Sequence, residues 1–355
     1  MTNFNCNDIR RLDDMLTESR NIVITCHLCP DGDALGSSLG LYNTLRNLNP
    51  GAKVTVVTPD EPTRNLAFLP GYTTIIPYSR YKGKAEKLIA GADLIVCLDY
   101  NALMRVDLLA QPIKESKAAK VLIDHHIDPE NFADITFSFP GKCATCMLLF
   151  EILEAAGKDE YINVNEANCL LAGMMTDTGD FAYNVSDPET YNAIGRLIAK
   201  GADKARLTRI LFNTFSEENL RIQGFALAER MDVFAEMHAA LIVLTRNDLN
   251  RFKYRKGDTE GLVNKPLAIP GILYSCYLRE ETDYIKVSMR SLGNLPVNEI
   301  CSKYFNGGGH LNAAGGEFYG SMEDCIITFR NSLKENFDKY IKVNKILSEV
   351  LKDEL

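Results

Sequence analysis

The chain has 355 residues, 46% of them hydrophobic and 24% charged, with a formal net charge of −8. That length makes two domains the default, and the acidic balance argues against a protein that tracks long duplex nucleic acid by neutralising phosphates. No apolar run reaches the roughly 18 residues of a membrane span, and Met1-Thr2-Asn3-Phe4-Asn5 lacks the basic and apolar regions of a signal peptide, so a cytoplasmic protein is expected.

The first half alternates short β-branched runs with amphipathic segments. Runs at 21–25, 53–58, 93–98 and 119–123 read as buried parallel strands. Leu35, Leu39, Tyr42, Leu45 and Leu48 recur at helical spacing between the first two, and Cys146, Leu149, Ile152 and Leu153 do so farther on. This alternation predicts an α/β domain, a parallel sheet with helices on both faces, over residues 1–187. Within it, 165–178 fits a buried helix better than a strand. A charged helical connector is expected over 188–230, with Lys200-Gly201 as a helix stop. A smaller α/β domain follows over 231–343. It is read as a strand at 240–244, a hairpin of 273–278 with 284–289, and helices near 296–305 and 321–338 around a glycine-rich turn. Residues 344–355 read as a charged tail.

Ten cysteines are spread without a dense pattern, and in a leaderless chain they stay reduced. Two Cys-x-x-Cys spacings, Cys26/Cys29 and Cys143/Cys146, raise a structural zinc site. The preferred reading is that Cys143 and Cys146 open an apolar helix as small buried hydrophobes.

Three of the five histidines lie in two polar stretches directly after apolar runs: His27-Leu28-Cys29-Pro30-Asp31-Gly32-Asp33 and Asp124-His125-His126. Asp99 ends a third run, and Asp177 ends the buried helix. In open α/β sheets, sites form at the carboxyl ends of strands. Crowded carboxylates repel unless a cation sits among them, and no Lys or Arg stands beside these in sequence, so bound metal is expected. Gly32 is read as permitting a tight turn that aims Asp31 and Asp33 at one point. The plainer readings are that Asp-Gly marks an ordinary turn and that a strand-ending Asp caps a helix.

His27-x-x-Pro30-Asp31-Gly32-Asp33-Ala34-x-Gly36-Ser37 and Asp124-His125-His126 resemble the signatures of the DHH phosphoesterase superfamily. Gly307-Gly308-Gly309-His310-x-x-Ala313-Ala314-Gly315, with Ser288-Met289-Arg290-Ser291 upstream, resembles the glycine-rich motif of the DHHA1 domain. The pair of domains is most similar to the nanoRNase/pAp-phosphatase branch. The resemblance implies that His27 and Asp31 hold one metal and Asp33, His125 and Asp177 another, with Asp99 bridging. It implies that Asp124 fixes the tautomer of a ligating histidine and that His126 faces the scissile phosphate. Tyr100-Asn101 departs from the small residues that the family shows after the bridging aspartate.

Six ligands with four carboxylates carry more charge than one divalent cation neutralises. Mixed imidazole and carboxylate donors favour Mn²⁺ over Mg²⁺, with Co²⁺ a further alternative. Two ions roughly 3.5–4 Å apart lower the pKa of a bridging water for in-line displacement. In the second domain the resemblance implies a substrate clamp of Ser288, Arg290, Gly308, Gly309 and His310, in which glycines bring N–H groups to an anion and Arg290 pairs with phosphate. Arg251-Phe252-Lys253-Tyr254-Arg255-Lys256 interleaves cations and rings, as where single strands stack, although such a run is more often a solvated strand edge.

The expected activity is hydrolysis of short oligoribonucleotides (nanoRNA) to mononucleotides and of 3′-phosphoadenosine 5′-phosphate (pAp) to AMP. Cleavage of cyclic or linear dinucleotides and exopolyphosphatase activity are the enzymatic rivals, and a nucleotide-binding sensor is the non-catalytic one. Expected partners are short single-stranded RNA, dinucleotides or pAp, with no duplex DNA and no membrane; a homodimer is left open.

Overall fold

The computed structural model describes residues 4–183 and 185–336. The expected tail at 344–355, the domain limit at 343 and the end of the 321–338 helix lie outside the described residues. Contacts divide the chain into two units between Thr214 and Phe215.

The first unit runs α1 (Cys6–Glu18), β1 (Asn21–Thr25), α2 (Gly32–Leu48), β2 (Lys53–Thr58), β3 (Ile76–Pro77), α3 (Tyr78–Ala90), β4 (Leu94–Leu98), α4 (Ala110–Glu115), β5 (Ala119–Asp124), β6 (Ile135–Ser138), α5 (Thr145–Ala155), α6 (Val164–Asp177), α7 (Pro188–Ala199) and α8 (Lys204–Phe212). Its strands form one parallel sheet in the order β3-β2-β1-β4-β5-β6. Strands buried on both faces read as continuous apolar runs, and these do. Ile24, Val96 and Ile123 face a core built with α2, α5 and α6, while Val23, Ile95 and Leu122 face a second core with α3 and α4. Winding reverses between β1 and β4, which opens a crevice at their carboxyl ends.

Helices α2 and α6 touch through small residues. A Cβ on Gly36 would lie 2.6 Å from the Cys169 carbonyl oxygen. Gly32 belongs to the same contact, since a Cβ there would fall 2.2 Å from Thr176 Oγ1. Its φ is not positive, so Gly32 is required by helix approach and not by the tight turn expected from the sequence.

The segment 188–230, expected as a connector, divides between the two cores. Ile194, Leu197 and Leu207 of α7 and α8 pack in the first unit. Helix α9 (Glu217–Glu229) packs Ile222 and Ala226 in the second.

The second unit continues with β7 (Met231–Phe234), β8 (Ala239–Leu244), α10 (Arg246–Arg251), β9 (Tyr274–Glu280), β10 (Ile285–Ser291), α11 (Val297–Tyr304), β11 (Gly308–His310), β12 (Ala313–Phe318) and α12 (Met322–Asn336). Its sheet runs β11-β12-β10-β9-β8-β7, antiparallel except between β8 and β9. The glycine-rich turn expected near 307–315 is therefore largely strand, a β11–β12 hairpin added to the hairpin of β9 and β10. Among the described residues no helix is long and apolar enough to cross a membrane.

Candidate metal centre and phosphate-binding face

Each strand end at the crevice contributes a side chain. His27, just after β1, has its Nδ1 2.8 Å from the Leu28 carbonyl oxygen, to which it donates. Nε2 then faces Asp31 Oδ1 at 3.7 Å and Asp99 Oδ2 at 3.4 Å. Asp31 also caps α2, accepting from the Asp33 and Ala34 amides at 3.0 Å, so the capping role holds alongside membership of the cluster.

Asp33, fully buried in the first turn of α2, is gripped by the start of α5. Its carboxylate accepts from Thr145 N at 2.7 Å and Cys146 N at 2.9 Å. Those are free N–H groups of a helix N-terminus, where negative charge is favoured. Asp99 follows β4 in a left-handed conformation, φ +63, uncommon for a residue with a side chain. It is 2% exposed, and Oδ1 accepts from Thr145 Oγ1 at 2.9 Å.

His125 points Nε2 at Asp177 Oδ2 (3.3 Å), Asp99 Oδ1 (3.7 Å) and Asp33 Oδ2 (3.9 Å). Its Nδ1 lies 3.1 Å from the Lys142 carbonyl. Asp124 accepts from the His126 amide at 3.0 Å and from His126 Nδ1 at 2.7 Å. Asp124 thus orients His126, the histidine expected on substrate. A backbone carbonyl, not Asp124, orients His125, because the chain turns Nδ1 of His125 toward the loop before α5.

Three donor groups result, each with ligand atoms within 4.8 Å of one another: His27, Asp31 and Asp99; Asp33, His125 and Asp177; and Asp99, His125 and His126. Asp99 joins the first and third groups and lies beside His125 of the second. Among the described residues no Lys or Arg pairs with Asp31, Asp33, Asp99 or Asp177. The four carboxylates have only histidines to balance them. Burial, with Asp99 and Asp177 adding repulsion, pushes Asp33 well above the usual carboxylate range. Burial also pushes Asp177 up to about 7, against the pull of His125. Burial opposes charge on His27, yet Asp31 and Asp99 raise it to about 11. His125 rises to about 9 in the same way through Asp33, Asp99 and Asp177. A divalent cation is the natural complement of such a set.

Tyr100, the departure from the family pattern, adds no bulk to this cluster. It is fully buried on the α3 face, bonds Thr25 Oγ1 at 2.8 Å and stacks on Phe132. Asn101 ties two loops together by donating to the Ile127 and Asp128 carbonyls. The zinc alternative has no geometric support, since no cysteine joins a donor group among the described residues. None of the ten cysteines forms a disulfide, and burial pushes Cys143 up to about 12. Sequence reading missed Lys142, Thr145 and Cys146. Their contributions are a carbonyl, a hydroxyl and backbone amides, of which only the Thr145 hydroxyl shows in a side chain.

In the second unit, strand register aligns the candidate phosphate residues. Arg290 pairs with Ala313 and Ala313 with His310; Ser288 pairs with Gly315 and Gly315 with Gly308. Directly opposed residues share a face, as do residues two apart. Arg290, His310, Ser288 and Gly308 thus lie on one face with only alanine and glycine between them, while Gly309 falls on the other. Arg290 is half-buried and donates to the Met289 carbonyl at 2.9 Å; burial pulls its pKa down, partly countered by Glu260.

The glycines differ in what they are for. A Cβ on Gly307 would lie 1.9 Å from the Gly315 carbonyl oxygen, and Gly309 sits at φ +142, but Gly308 has nothing within 4 Å. Nothing within the unit requires Gly308 to lack a side chain. The basic run 251–256 behaves differently from a stacking surface: it closes α10 and the turn beyond. Phe252 packs on Phe225 with centroids 5.0 Å apart, and Phe252 and Tyr254 both lie against the core. Its rings are occupied internally and only its cations face out. His238, which had no role in sequence, turns the chain at φ +49 with Nδ1 on the Gly271 carbonyl.

Comparison with known proteins agrees with both halves. The DHH family N-terminal domain matches residues 21–174, and the DHHA1 domain matches residues 238–351. The bifunctional oligoribonuclease and PAP phosphatase NrnA of Thermus thermophilus is 31% identical over 300 residues, 84% of each chain. The cyclic-di-AMP phosphodiesterase GdpP of Bacillus subtilis is 26% identical over 92% of this chain and 49% of its own. The crystal structure of an exopolyphosphatase-related protein from Bacteroides fragilis superposes with a TM-score of 0.93 at 42% identity, covering 96% of this chain and all of that one.

Proposed function

The chain belongs to the DHH family of phosphoesterases and is a hydrolase, and on that premise we propose that it cleaves short oligoribonucleotides to mononucleotides and pAp to AMP. One observation carries the reading: Asp and His donors, with Asp33 and Asp99 buried, converge on a strand-order reversal with no Lys or Arg paired to them among the described residues. His27, Asp31 and Asp99 would hold one divalent ion and Asp33, His125 and Asp177 a second, with Mn²⁺ the best match to mixed donors. Bound there, such ions would supply a hydroxide near neutral pH and would neutralise phosphoryl charge.

The remaining roles fall to the protein. The Lys142 carbonyl and α5 amides hold His125 and Asp33 in place, so little reorganisation accompanies reaction. Asp124 fixes the ring of His126, which suits His126 to a hydrogen bond with the scissile phosphate or its leaving oxygen. Arg290, His310, Ser288 and the amides around Gly308 and Gly309 would hold the anionic remainder of the substrate. Similarity supports the oligoribonuclease reading over cyclic dinucleotide cleavage, because it spans 84% of both chains in the first case and 49% of the relative in the second.

The test is turnover with Mn²⁺ across dinucleotides, a tetranucleotide, pAp, cyclic di-AMP, polyphosphate and pyrophosphate. Dinucleotides and pAp are expected to yield mononucleotides and AMP fastest. Tight binding of one compound without product from any would sink the enzyme reading in favour of a sensor.

The second unit gives a separate expectation. Arg290→Ala and Gly308→Ala should each raise KM about tenfold or more, roughly one lost charge-assisted contact, with Mn²⁺ content unchanged. Gly307→Ala should instead lower the melting temperature of the second unit. Loss of Mn²⁺ in either of the first two, or a normal KM in both, would remove that face from substrate binding.

A further inference from the structure

We infer that the buried Lys142–Glu151 ion pair is a positioning device that sets the affinity of the donor cluster for divalent ions. The ammonium lies 2.7 Å from Glu151 Oε1, with the two side chains 10% and 5% exposed. Neither side chain is a cluster donor. What they hold is the segment from Lys142 to Cys146, which touches three donors at once. The Lys142 carbonyl takes His125 Nδ1 at 3.1 Å, Thr145 Oγ1 donates to Asp99 at 2.9 Å, and the Thr145 and Cys146 amides hold both oxygens of Asp33. Glu151 stands on α5, so the pair staples the loop before the helix to the helix itself.

A buried ion pair is a weak source of stability, because desolvation offsets most of its attraction. Its place here gives it another effect. Losing Glu151 frees the loop, so the His125 ring loses its fixed direction, and the start of α5 that holds Asp33 and Asp99 loses its tether to that loop. It also leaves an unpaired ammonium beside a site that binds cations. Both effects weaken metal binding, and neither touches substrate.

The inference rests on the reading that the cluster holds divalent ions, and its test reads the metal directly. Mn²⁺ is titrated into metal-free wild-type and Glu151→Gln protein by calorimetry, with the electron paramagnetic resonance spectrum of the bound ion recorded. The variant is expected to raise Kd 10- to 100-fold, the usual effect of losing a partner that orients a ligand. It should also alter the spectrum, while KM at saturating Mn²⁺ stays within about twofold. A Kd within about twofold of wild type overturns the inference. Should Glu151→Gln fail to fold, the double variant Lys142→Met with Glu151→Leu removes both charges and keeps the volume, and the same thresholds apply. A wild-type protein that binds no Mn²⁺ overturns the proposed function and this inference together. Binding that is unchanged in the variants overturns the inference alone.

Discussion

Asp99→Asn is expected to lower hydrolysis on the order of 10³-fold or more while leaving the first unit folded. Asparagine keeps the shape of the side chain and can still accept the Thr145 hydroxyl bond at Oδ1. It removes the charge that faces His27 at 3.4 Å and His125 at 3.7 Å. Those histidines hold Asp99 below the usual carboxylate range although burial works against it, so the anion is the form the site is built around. Several kcal/mol of charge stabilisation is a reasonable share for a metal-centred reaction, and about 4 kcal/mol is a thousandfold in rate. The measurement is kcat on pAp at saturating Mn²⁺, with circular dichroism to verify the fold. A folded variant that keeps a tenth of wild-type activity would remove Asp99 from the reaction.

Gly173→Ala is expected to damage stability and metal binding together. A Cβ there would lie 2.2 Å from Cys146 Sγ and 3.1 Å from both Cα and Oδ1 of Asp33. No rotamer of an added methyl avoids this, because a Cβ has no freedom to turn. Overpacking of this kind costs about 1–3 kcal/mol and sometimes more. Relief requires α6 to move away from α2, which separates Asp177 at the end of one helix from Asp33 at the start of the other. Thermal unfolding and Mn²⁺ titration should therefore both shift. A variant with a lower melting temperature but wild-type Mn²⁺ affinity would show that helix spacing does not set the donor geometry.

What the sequence made legible follows from burial. Strands β1, β2 and β5 stood out because both faces of a parallel strand are apolar, and α2 and α5 because their core residues recur at helical spacing. Strands β3 and β6 did not, being two and four residues long, too short for a pattern to repeat. The β11–β12 hairpin was hidden by composition. Glycine is a poor strand former in isolation, yet pairing of β12 with β10 and of β11 with β12 makes strand of Gly315 and Gly308. The site divides along the same line. His27, Asp99, His125 and Asp177 announce themselves by side-chain chemistry at strand and helix ends. Lys142 and Cys146 act through main-chain atoms that every residue carries, so no letter in the sequence marks them. Gly32 was visible but was attributed to a turn, since the helix it touches lies more than 100 residues away.

The donors are drawn from His27 through Asp177, from just after β1 to the end of α6. During synthesis the start of α2, with Asp31 and Asp33, leaves the ribosome well before α5 arrives to hold Asp33, and longer before α6 brings Asp177. A growing chain therefore presents an incomplete donor set. On the proposed reading the donor set is complete only once the chain has been made through α6, with α7 and α8 still to follow.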